Sequence, residues 1–411
     1  LESLILSAYI VSLSILFFFG SHGFNMIYYY FKTFKMRTED MDEKDFIMEE
    51  YPAVTVQIPL YNEQYVITRL IDSVIRLDYP KDKLEIQILD DSTDETTQII
   101  DDHIKQYREQ GFDIAHIHRT NREGFKAGAL KVGLETAKGE FVAVFDADFI
   151  PRKKFLKRAI PYFSKDKKLG LVQTRWEHLN REYSLMTKTQ AIALDGHFVI
   201  EQAVRNRAGF FINFNGTGGV WRKECIFDAG NWEADTLTED LDLSYRAQMK
   251  GWKFRYLVNF TSPAELPSDI GALKSQQFRW TKGAIETAKK IYPKVLRSDM
   301  SFKLKFQAFI HLYCNLAYPF ILLAAILNLP VMLIKLTGQY DGVFKFMSVF
   351  IFAFISSFIF YLYSQKDVYP DWQKRIIYFP VFLAGSMGFS VNNTKAVFEG
   401  LLDKKSEFVR T

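Results

Sequence analysis

The sequence predicts a soluble α/β domain flanked by transmembrane helices. Three observations support this fold class. Long apolar runs without charge lie at both ends of the 411-residue chain, strand-like runs alternate with helical patterns between them, and acidic residues directly follow two of the strands. A chain of this length exceeds one ordinary domain, so two or three structural units are expected.

The bulk composition excludes some classes of protein. There are 52 basic and 48 acidic residues, for a net charge of +4. Nucleic-acid binding, which needs a strongly basic face, is therefore not expected. The two cysteines, Cys225 and Cys314, are too few for a disulfide framework and have no metal-site spacing around them. The chain is rich in aromatic residues, with 38 Phe and 21 Tyr.

The first apolar run, Ser3–Phe31, contains no Asp, Glu, Lys or Arg. About 20 apolar helical residues cross a bilayer core of about 30 Å, so this run is long enough to span. A buried core helix is disfavoured at this length, and a cleaved signal peptide would need a basic start and a shorter run. Lys32, Lys35 and Arg37 follow the run and only Glu2 precedes it, which predicts a cytoplasmic domain after it.

The C-terminal third carries two further apolar runs. Ala308–Ile334 and Phe346–Ser364 are separated by the polar break Thr337–Lys345, which predicts a transmembrane hairpin with both ends in the cytoplasm. Ile376–Leu402 begins apolar and then becomes polar. It fits either a third short span or an amphipathic helix in the membrane interface.

The middle of the chain alternates between strand and helix patterns. The elements are predicted at Val54–Ile58 (strand), Glu63–Leu77 (helix), Leu84–Leu89 (strand), Glu95–Arg108 (helix), Ile114–Ile117 (strand), Ala127–Ala137 (helix) and Phe141–Phe145 (strand). This alternation predicts parallel strands with helices on both faces, and ligands beyond the carboxyl ends of the strands. The glycine patterns of dinucleotide-binding dehydrogenases and of P-loop proteins are absent from the sequence.

Two carboxylates end the Phe141–Phe145 strand. Asp146 and Asp148 are two residues apart, so both can face the same side as the chain leaves the sheet. Mg²⁺ and similar hard cations are held by one or two carboxylates together with substrate phosphates. The pair is therefore a candidate metal site, although a solvated loop pair has the same local pattern.

A second acidic pair, Asp90-Asp91, ends the Leu84–Leu89 strand. A carboxylate there can accept hydrogen bonds from a nucleobase or a ribose. An alternative is a helix cap, in which Ser92 or Thr93 acts with Glu95 at the start of the next helix. Both interpretations can hold together.

Lys126 opens the helix after the third strand, where its ammonium group could reach a diphosphate with help from the helix N-terminus. A solvated lysine fits the spacing equally well. Thr238-Glu239-Asp240 precedes another predicted helix, Leu241–Lys250. A carboxylate such as Asp240 could act as general base toward an acceptor hydroxyl, an effect worth roughly 10²–10⁴ in rate, whereas helix capping by Thr238 is the alternative.

The run Gln276-Gln277-Phe278-Arg279-Trp280 lies on a predicted amphipathic helix, Ile270–Lys290. A tryptophan ring offers a face for stacking on a sugar, and Arg and Gln side chains can bond a phosphate or hydroxyl. By itself the pattern also fits an ordinary helix surface.

In order and spacing, these motifs resemble the D, DxD, TED, QxxRW signature of the processive family 2 glycosyltransferases, which include cellulose, hyaluronan and chitin synthases. The segments around them look most like the plant cellulose-synthase-like A and C groups and their bacterial relatives, which make β-mannans, glucomannans or the xyloglucan backbone. Those segments are residues 56–63 (VQIPLYNE), 214–222 (FNGTGGVWR) and 265–268 (ELPS). The resemblance covers nearly the whole chain and implies a nucleotide-sugar-binding mixed sheet of the GT-A type.

The resemblance also implies a role for each matching residue. On the donor side it implies nucleoside contacts from Tyr61, Glu63 and Asp91, with Asp90 beside them in the substrate site. It also implies a diphosphate contact from Lys126, and a Mg²⁺ or Mn²⁺ ion held by Asp146 and Asp148. On the acceptor side it implies a catalytic base at Asp240 next to Glu239, contacts to the diphosphate and the acceptor end from Gln276, Arg279 and Trp280, and a segment with Asn215, Gly216 and Thr217 beneath the acceptor sugar.

The last five residues, Glu407–Thr411, resemble the start of the family's gating loop, whose pattern is FxVTxK, although the sequence departs from it after Phe408. A cytoplasmic gating loop favours an interfacial helix at Ile376–Leu402, and the chain is expected to be part of a longer protein. Four units follow: an N-terminal anchor at 1–37, a cytosolic catalytic domain with a C-terminal interfacial helix at 38–304, a transmembrane hairpin at 305–364, and an interfacial helix with the start of the gating loop at 365–411.

The expected function is membrane-bound, inverting transfer of a hexose from UDP-glucose or GDP-mannose to the non-reducing end of a β-glycan, β-1,4-linked and processive. Transfer of one sugar to a membrane lipid such as ceramide is the alternative, and a transporter or scaffold is disfavoured because the spans are few and unrepeated. Membrane lipids are expected partners, and accessory subunits are left open. The location would be the plasma membrane for a bacterial protein and the Golgi for a plant-like one.

Overall fold

The computed structural model describes residues 1–34 and 46–404. Three of the expectations above depend on residues that lie outside the described ranges, namely Lys35, Arg37 and the segment Glu407–Thr411. The candidate site residues all lie within them.

A seven-stranded mixed sheet forms the centre of the α/β domain, in the order β3-β2-β1-β4-β6-β5-β7. The strands are β1 Val54–Leu60, β2 Leu84–Asp90, β3 Asp113–His118, β4 Phe141–Val144, β5 Leu169–His178, β6 Gly219–Arg222 and β7 Lys253–Ala264. The four strands predicted from the sequence pattern are β1 to β4, and they pair in parallel. Strand β6 then pairs antiparallel with both β4 and β5. The mixed sheet implied by the resemblance is therefore confirmed.

Helices cover both faces of the sheet. Those of the α/β domain are α3 Ile67–Ile75, α4 Thr96–Glu109, α5 Phe125–Thr136, α6 Phe155–Ala159, α7 Pro161–Lys165, α8 Leu185–Asp195, α9 Ala203–Arg207, α10 Lys223–Asp228, α11 Glu239–Met249 and α12 Ile270–Arg297. A π-helix, Gly196–Gln202, joins α8 to α9. One apolar cluster lies on each face: β1 contributes to the first, and β4 contributes Phe141 and Ala143 to the first and Val142 and Val144 to the second.

Two helices depart from their predicted bounds or caps. Helix α3 begins at Ile67 rather than at Glu63, after a turn in which the Val66 N–H donates to the Glu63 carbonyl at 3.1 Å. Helix α4 begins at Thr96 without a cap from Ser92 or Thr93. Its first turn is instead satisfied by Asp94, whose carboxylate accepts from the Thr96 N–H. The Ser/Thr cap considered as the alternative was therefore wrong.

Three helices of the described residues are long and apolar enough to cross a membrane: Glu2–Lys32, Phe302–Leu336 and Asp341–Lys366. The predicted runs all fall within them. They comprise α1 Glu2–Gly20, α2 His22–Lys32, α13 Phe302–Tyr313, α14 Ala317–Leu336, α15 Asp341–Met347 and α16 Ile351–Lys366.

The segment predicted as an interfacial helix forms α17 Trp372–Ile376, α18 Phe379–Gly388 and α19 Ser390–Leu401. Helix α19 lies against α12. The Lys289 ammonium group bonds the Leu401 carbonyl at 2.8 Å and the Asp403 carboxylate at 2.6 Å, and buried Lys282 donates to the Lys404 carbonyl. This end of the segment is thus attached to the α/β domain, and its place at the membrane interface stays a prediction.

Small residues let the junction of α1 and α2 approach α16. A Cβ on Gly20 would lie 3.0 Å from the Cβ of Ala353, and one on Gly23 would lie 2.6 Å from Ser356 Oγ. Ser356 Oγ donates to the Gly20 carbonyl at 2.7 Å and accepts from the Phe24 N–H at 2.9 Å. Close backbone approach and such hydrogen bonds are what hold helices together in lipid, where burial of apolar surface contributes little.

We expect Gly23→Val to lower the unfolding temperature of the purified protein in detergent by several degrees. The added side chain has no room at Ser356, and overpacking of this kind costs about 1–3 kcal/mol. Gly385→Val is the matched control, because nothing lies within 4 Å of a Cβ at Gly385. Equal unfolding temperatures for the two variants would show that this helix contact does not support the fold.

Candidate active site

A cleft of about 270 Å³ opens at the carboxyl ends of the central strands. Most of the residues singled out in the sequence line it: Tyr61, Glu63, Asp91, Lys126, Asp146, Asp148, Asn215, Gly216, Glu239, Asp240, Gln276, Arg279 and Trp280. Two others, Asp90 and Thr217, are fully buried beside it. The cleft thus gathers motifs that are more than 200 residues apart in the chain.

Asp90 is held within the protein. Its carboxylate accepts from the Ser92 N–H at 2.8 Å and from Thr97 Oγ1 at 2.7 Å, and it faces His116 Nε2 and His118 Nδ1, both at 3.1 Å. Burial by itself would raise the pKa of Asp90, but the hydrogen bonds from His116 and its neighbours hold it well below its usual range. Asp90 therefore fixes the end of β2, while the adjacent Asp91 is the one that lines the cleft.

Asp91 is paired with an arginine that the sequence analysis did not identify. Arg119 donates to both carboxylate oxygens, from Nε at 2.7 Å and from a terminal nitrogen at 2.5 Å. The same guanidinium bonds the carbonyl of Phe125, the first residue of α5. Arg119 thus ties the end of β2 to the start of the helix that carries Lys126.

A second arginine missed in the sequence lies over the ring of Tyr61. The Arg122 guanidinium carbon is 3.3 Å from the Tyr61 ring centroid, and both residues line the cleft. Arg122 sits in the loop between β3 and α5, at the carboxyl end of a strand. This position could have identified Arg122 from the sequence, because charged residues at the carboxyl end of a strand face the ligand side of the sheet.

Lys126 is not a solvated lysine. Its ammonium group donates to Asp146 Oδ1 at 2.5 Å and to the Gly216 carbonyl at 2.9 Å. Burial would lower its pKa, but the charges of Asp146 and Glu239 outweigh that effect and the pKa is raised. Lys126 is therefore a fixed cation in the wall of the cleft.

Asp146 and Asp148 share this end of the cleft. The Asp146 N–H donates to Thr217 Oγ1 at 2.9 Å, so the buried threonine fixes the backbone of the acidic pair. The Asp148 side chain opens onto the cleft, but the surrounding protein leaves little water near its carboxyl group. This burial, together with the neighbouring Asp146 charge, raises the pKa of Asp148 to about 7.

Glu239 and Asp240 open helix α11. Thr238 stands at the N-cap position without a capping hydrogen bond, and its hydroxyl instead bonds Thr287 Oγ1 of α12 at 3.0 Å. The capping role considered for Thr238 was therefore wrong. Burial raises the pKa of both carboxyl groups, and the charge of Glu239 adds to the effect at Asp240.

Three of the motifs meet at Gly216. The residue has a φ of +78°, which favours glycine. A Cβ there would lie 3.3 Å from Asp240 Oδ2, 3.3 Å from Lys126 Nζ and 4.0 Å from Asp146 Oδ2. The glycine thus marks the point where the candidate base, the lysine and the candidate metal ligand converge.

Helix α12 brings Gln276, Arg279 and Trp280 to the same cleft. Burial lowers the pKa of the Arg279 guanidinium, and the charges of Glu239 and Asp146 oppose that shift. One turn after Trp280, the helix passes directly over the backbone before α11.

That crossing depends on Gly283. A Cβ at Gly283 would lie 2.7 Å from Thr238 Cγ2 and 2.9 Å from the Thr238 nitrogen. One turn on, the Glu286 carboxylate accepts from the Leu237 N–H at 3.0 Å. The absence of a side chain at Gly283 therefore allows the two motif-bearing helices to share one cleft.

A separate acidic cluster, Glu233, Asp235 and Asp242, also has the spacing of a metal site. Its centre is taken by Lys290, whose ammonium nitrogen lies 2.5, 2.7 and 3.1 Å from the three carboxylates. Lys290 contacts all three carboxylates of this cluster, whereas of Asp146 and Asp148 only Asp146 bonds Lys126, so that pair remains the better candidate metal site.

The charges lining the cleft fit a divalent cation. The carboxylates are Glu63, Asp91, Asp146, Asp148, Glu239, Asp240 and Glu265, and the cationic side chains are Arg122, Lys126 and Arg279. Some of the acids are neutralised locally, as Glu265 is by Arg69 at 2.7 Å. The remaining carboxylates favour binding of an anionic ligand such as a diphosphate together with a metal ion. Asp146 and Asp148 have the oxygen ligands that Mg²⁺ or Mn²⁺ takes.

The chain matches a known family over its α/β domain. The family described as "Glycosyltransferase like family 2" matches residues 52–283. A rice (Oryza sativa subsp. japonica) protein named probable glucomannan 4-beta-mannosyltransferase 3 is 36% identical over 363 residues, which cover 86% of this chain and 63% of that protein. The glucomannan 4-beta-mannosyltransferase 1 of Cyamopsis tetragonoloba is 41% identical over 64% of this chain and 51% of its own length. The chain thus spans about half to two thirds of the length of the curated relatives it matches.

A solved structure has the same fold. A mannosyltransferase from Pyrobaculum calidifontis, in complex with GDP-Man and Mn2+, matches with a TM-score of 0.65 at 18% sequence identity, over 98% of this chain and 100% of that one. At this identity the likeness shows the shared fold alone.

We expect Gly283→Ala to lower the unfolding temperature, although alanine favours a helix over glycine by about 1 kcal/mol. The new methyl group would press on the backbone of Thr238, which cannot move without shifting α11. Gly342→Ala is the control, since nothing lies within 4 Å of a Cβ there, and it is expected to raise or preserve the unfolding temperature. A stabilised Gly283→Ala protein would contradict the close crossing of the two helices.

Proposed function

The chain belongs to glycosyltransferase family 2, and on that premise we propose that it transfers mannose from GDP-mannose to the non-reducing end of a β-1,4-linked mannan or glucomannan. The observation that carries the proposal is the meeting of Lys126, Asp146 and Asp240 at Gly216, which brings a candidate base next to a candidate diphosphate site. The sugar comes from the relatives, which are named glucomannan 4-beta-mannosyltransferases and are 36–43% identical. UDP-glucose is the alternative donor.

The chemistry is a single in-line displacement. Asp240 accepts the proton of the acceptor hydroxyl as that oxygen bonds to the anomeric carbon of the donor sugar. The bond from that carbon to the diphosphate oxygen breaks, and the nucleoside diphosphate leaves with the electron pair. The configuration inverts, so an α-linked donor gives a β-linked product. The burial that raises the pKa of Asp240 suits it to accept a proton.

The leaving group needs positive charge around it. Lys126 and Arg279 supply two fixed cations in the cleft wall. A Mg²⁺ or Mn²⁺ ion held by Asp146 and Asp148 would add a Lewis acid that neutralises the diphosphate. On the nucleoside side, Tyr61 under Arg122 and the Asp91–Arg119 pair form a rigid wall, to which Glu63 also belongs.

The proposal extends to the membrane. The three candidate spans would place the α/β domain in the cytoplasm, because Lys32 follows the first span. A processive enzyme would keep the glycan bound between additions, whereas transfer of one sugar to a lipid such as ceramide would release it. Gln276 and Trp280, at the acceptor end of the cleft in this proposal, would hold the growing end in either case.

The first test is incorporation of radiolabelled sugar by the purified membrane protein from GDP-mannose and from UDP-glucose, with and without EDTA. We expect an EDTA-sensitive polymer from GDP-mannose, because the acidic cleft accepts a diphosphate only with a cation. A polymer formed from UDP-glucose would instead indicate that the product is a glucan. A single labelled sugar on an extractable lipid would replace processive synthesis by lipid glycosylation.

We expect Asp240→Asn to reduce turnover by roughly 10²–10⁴, the usual contribution of a general base. Binding of GDP-mannose with Mn²⁺, measured by calorimetry, should change little, since the amide keeps the shape of the carboxyl group. Asp102→Asn, on the exposed face of α4, is the control. Near-normal turnover in Asp240→Asn would contradict the proposed role of Asp240 as the general base.

A further inference from the structure

Each of the first two candidate membrane spans has an exposed lysine at one end. Lys32 is the last residue of the span Glu2–Lys32, and Lys303 is the second residue of the span Phe302–Leu336. A lysine at the end of a membrane-spanning helix extends its ammonium group toward the lipid headgroups. The two side chains therefore belong to the boundary between lipid and water, if the helices span.

The two lysines share one aromatic ring. The ammonium nitrogen of Lys32 lies 5.9 Å from the centre of the Tyr29 ring, and that of Lys303 lies 4.7 Å from the same point. Lys303 also lies 4.9 Å from the centre of the Phe210 ring, which packs edge-on against Tyr29. Phe210 belongs to the α/β domain, so these four residues join two candidate spans to that domain. We call Lys32, Lys303, Tyr29 and Phe210 the boundary cluster.

Hydrogen bonds one turn along α13 fix the backbones that carry this cluster. Gln307 Nε2 donates to Asn25 Oδ1 of α2 at 2.8 Å. The Gln307 carbonyl accepts from Arg205 of α9 at 3.1 Å, and the Arg205 side chain is fully buried. Hydrogen bonds between helices hold them together where burial of apolar surface contributes little. The start of α13 is therefore held both to α2 and to the α/β domain, and the two lysines come to one place because of that packing.

The positive charge of the boundary cluster has no counterion within the described part of the chain. Neither Lys32 nor Lys303 forms an ion pair or a side-chain hydrogen bond there. Lys126 and Lys290 of the α/β domain, in contrast, both contact carboxylates. Lys303 also stands in the first turn of α13, where the amide groups of a helix attract an anion. The cluster is thus complementary in charge to a phosphate group.

Exposed aromatic side chains surround the cluster on the same two helices. Tyr28 is 57% exposed, Phe31 55% and Phe302 82%. Aromatic rings at the ends of membrane helices lie between the headgroups and the acyl chains. A soluble phosphate would leave this apolar surface uncovered, whereas a phospholipid brings its acyl chains to it. The occupant that fits both the charge and the rings is an anionic phospholipid.

We propose that the boundary cluster binds the phosphate headgroup of an anionic phospholipid, and that the bound lipid holds the α/β domain against the membrane. Lys32 and Lys303 contact the phosphate, and the Tyr29 and Phe210 rings hold the Lys303 ammonium group in place. This inference goes beyond the proposed function, because it concerns the lipid around the candidate spans and does not depend on which sugar is transferred.

The test measures binding of dioleoylphosphatidylglycerol to the purified full chain in a neutral detergent, by native mass spectrometry and by thermal unfolding. We expect this lipid to be retained and to raise the unfolding temperature, because a ligand of the folded state stabilises it. Zwitterionic dioleoylphosphatidylcholine should do so much less. Equal effects of the two lipids would contradict recognition of charge. Stabilisation by inorganic phosphate alone, to the same extent, would replace the lipid by a soluble anion and overturn the proposal.

Substitution of the lysines tests the site itself. We expect Lys303→Gln to weaken binding of phosphatidylglycerol about fivefold, and Lys32→Gln with Lys303→Gln about 25-fold, from the usual contribution of a lysine at an anionic membrane surface. Lys366→Gln is the matched control, since Lys366 ends the third candidate span and lies 5.8 Å from the centre of the Tyr363 ring. It should change binding by less than about twofold. Equal losses in Lys303→Gln and Lys366→Gln would show a diffuse attraction and overturn the proposal.

A charge-preserving variant separates the loss of charge from a loss of folding. Lys32→Arg with Lys303→Arg keeps both charges, and a guanidinium group also stacks on aromatic rings, so binding of phosphatidylglycerol should return to within about twofold of the unchanged protein. The glutamine variants should unfold at the temperature of the unchanged protein when no lipid is added, since neither lysine is ion-paired within the described ranges. A double arginine variant that binds the lipid no better than the double glutamine variant would overturn the proposal.

Discussion

The ammonium group of Lys126 is the interaction on which the cleft depends. It lies within hydrogen-bonding distance of Asp146 and of the Gly216 carbonyl, and the charges of Glu239 and Asp240 act on it as well. Carboxylates gathered from separate segments would repel one another in a poorly solvated cleft. One buried cation makes their convergence tolerable, and it does so at the point where the metal and donor phosphates are proposed to bind.

The same solution recurs around the cleft. Arg119 neutralises Asp91, Arg69 neutralises Glu265, and Lys290 occupies the cluster that includes Asp242. Each pair joins two segments of the fold, so the contacts that balance these charges also fix the relative placement of those segments. Breaking a buried pair such as Arg119–Asp91 leaves an uncompensated charge, which is more costly than the pair is stabilising. Burial raises the pKa values of Asp148 and Asp240, and these two acids are the ones proposed to meet the metal and the acceptor.

Glycines set how closely the elements approach. Gly283 lets α12 cross the backbone before α11, Gly196 seats the π-helix on α16, and Gly23 admits Ser356 between membrane helices. The contacts at Gly23 and Gly196 both involve α16, so this candidate membrane helix packs closely against the junction of α1 and α2 and against the π-helix.

Much of this architecture could be predicted from the sequence. Strands β1 to β4 were found because buried parallel strands read as short apolar runs, and the acidic motifs were found because they follow those runs directly. The membrane helices were found because a span needs a long stretch without charge. Both signals are local, and each depends on residues within about 20 positions of one another.

What only the tertiary structure decided depends on contacts between distant segments. The sequence could not tell which of two adjacent aspartates faces the cleft. That choice depends on His116 and His118 of the neighbouring strand, which contact the Asp90 carboxylate. It offered helix caps at Ser92 and Thr238, but those hydroxyls bond Asn62 and Thr287 instead. The antiparallel strand β6 and the π-helix left no periodic pattern to recognise. Local pattern fixes where a side chain enters the fold, but its hydrogen-bond partner is set by which other segment arrives beside it, and that is a property of the packed chain.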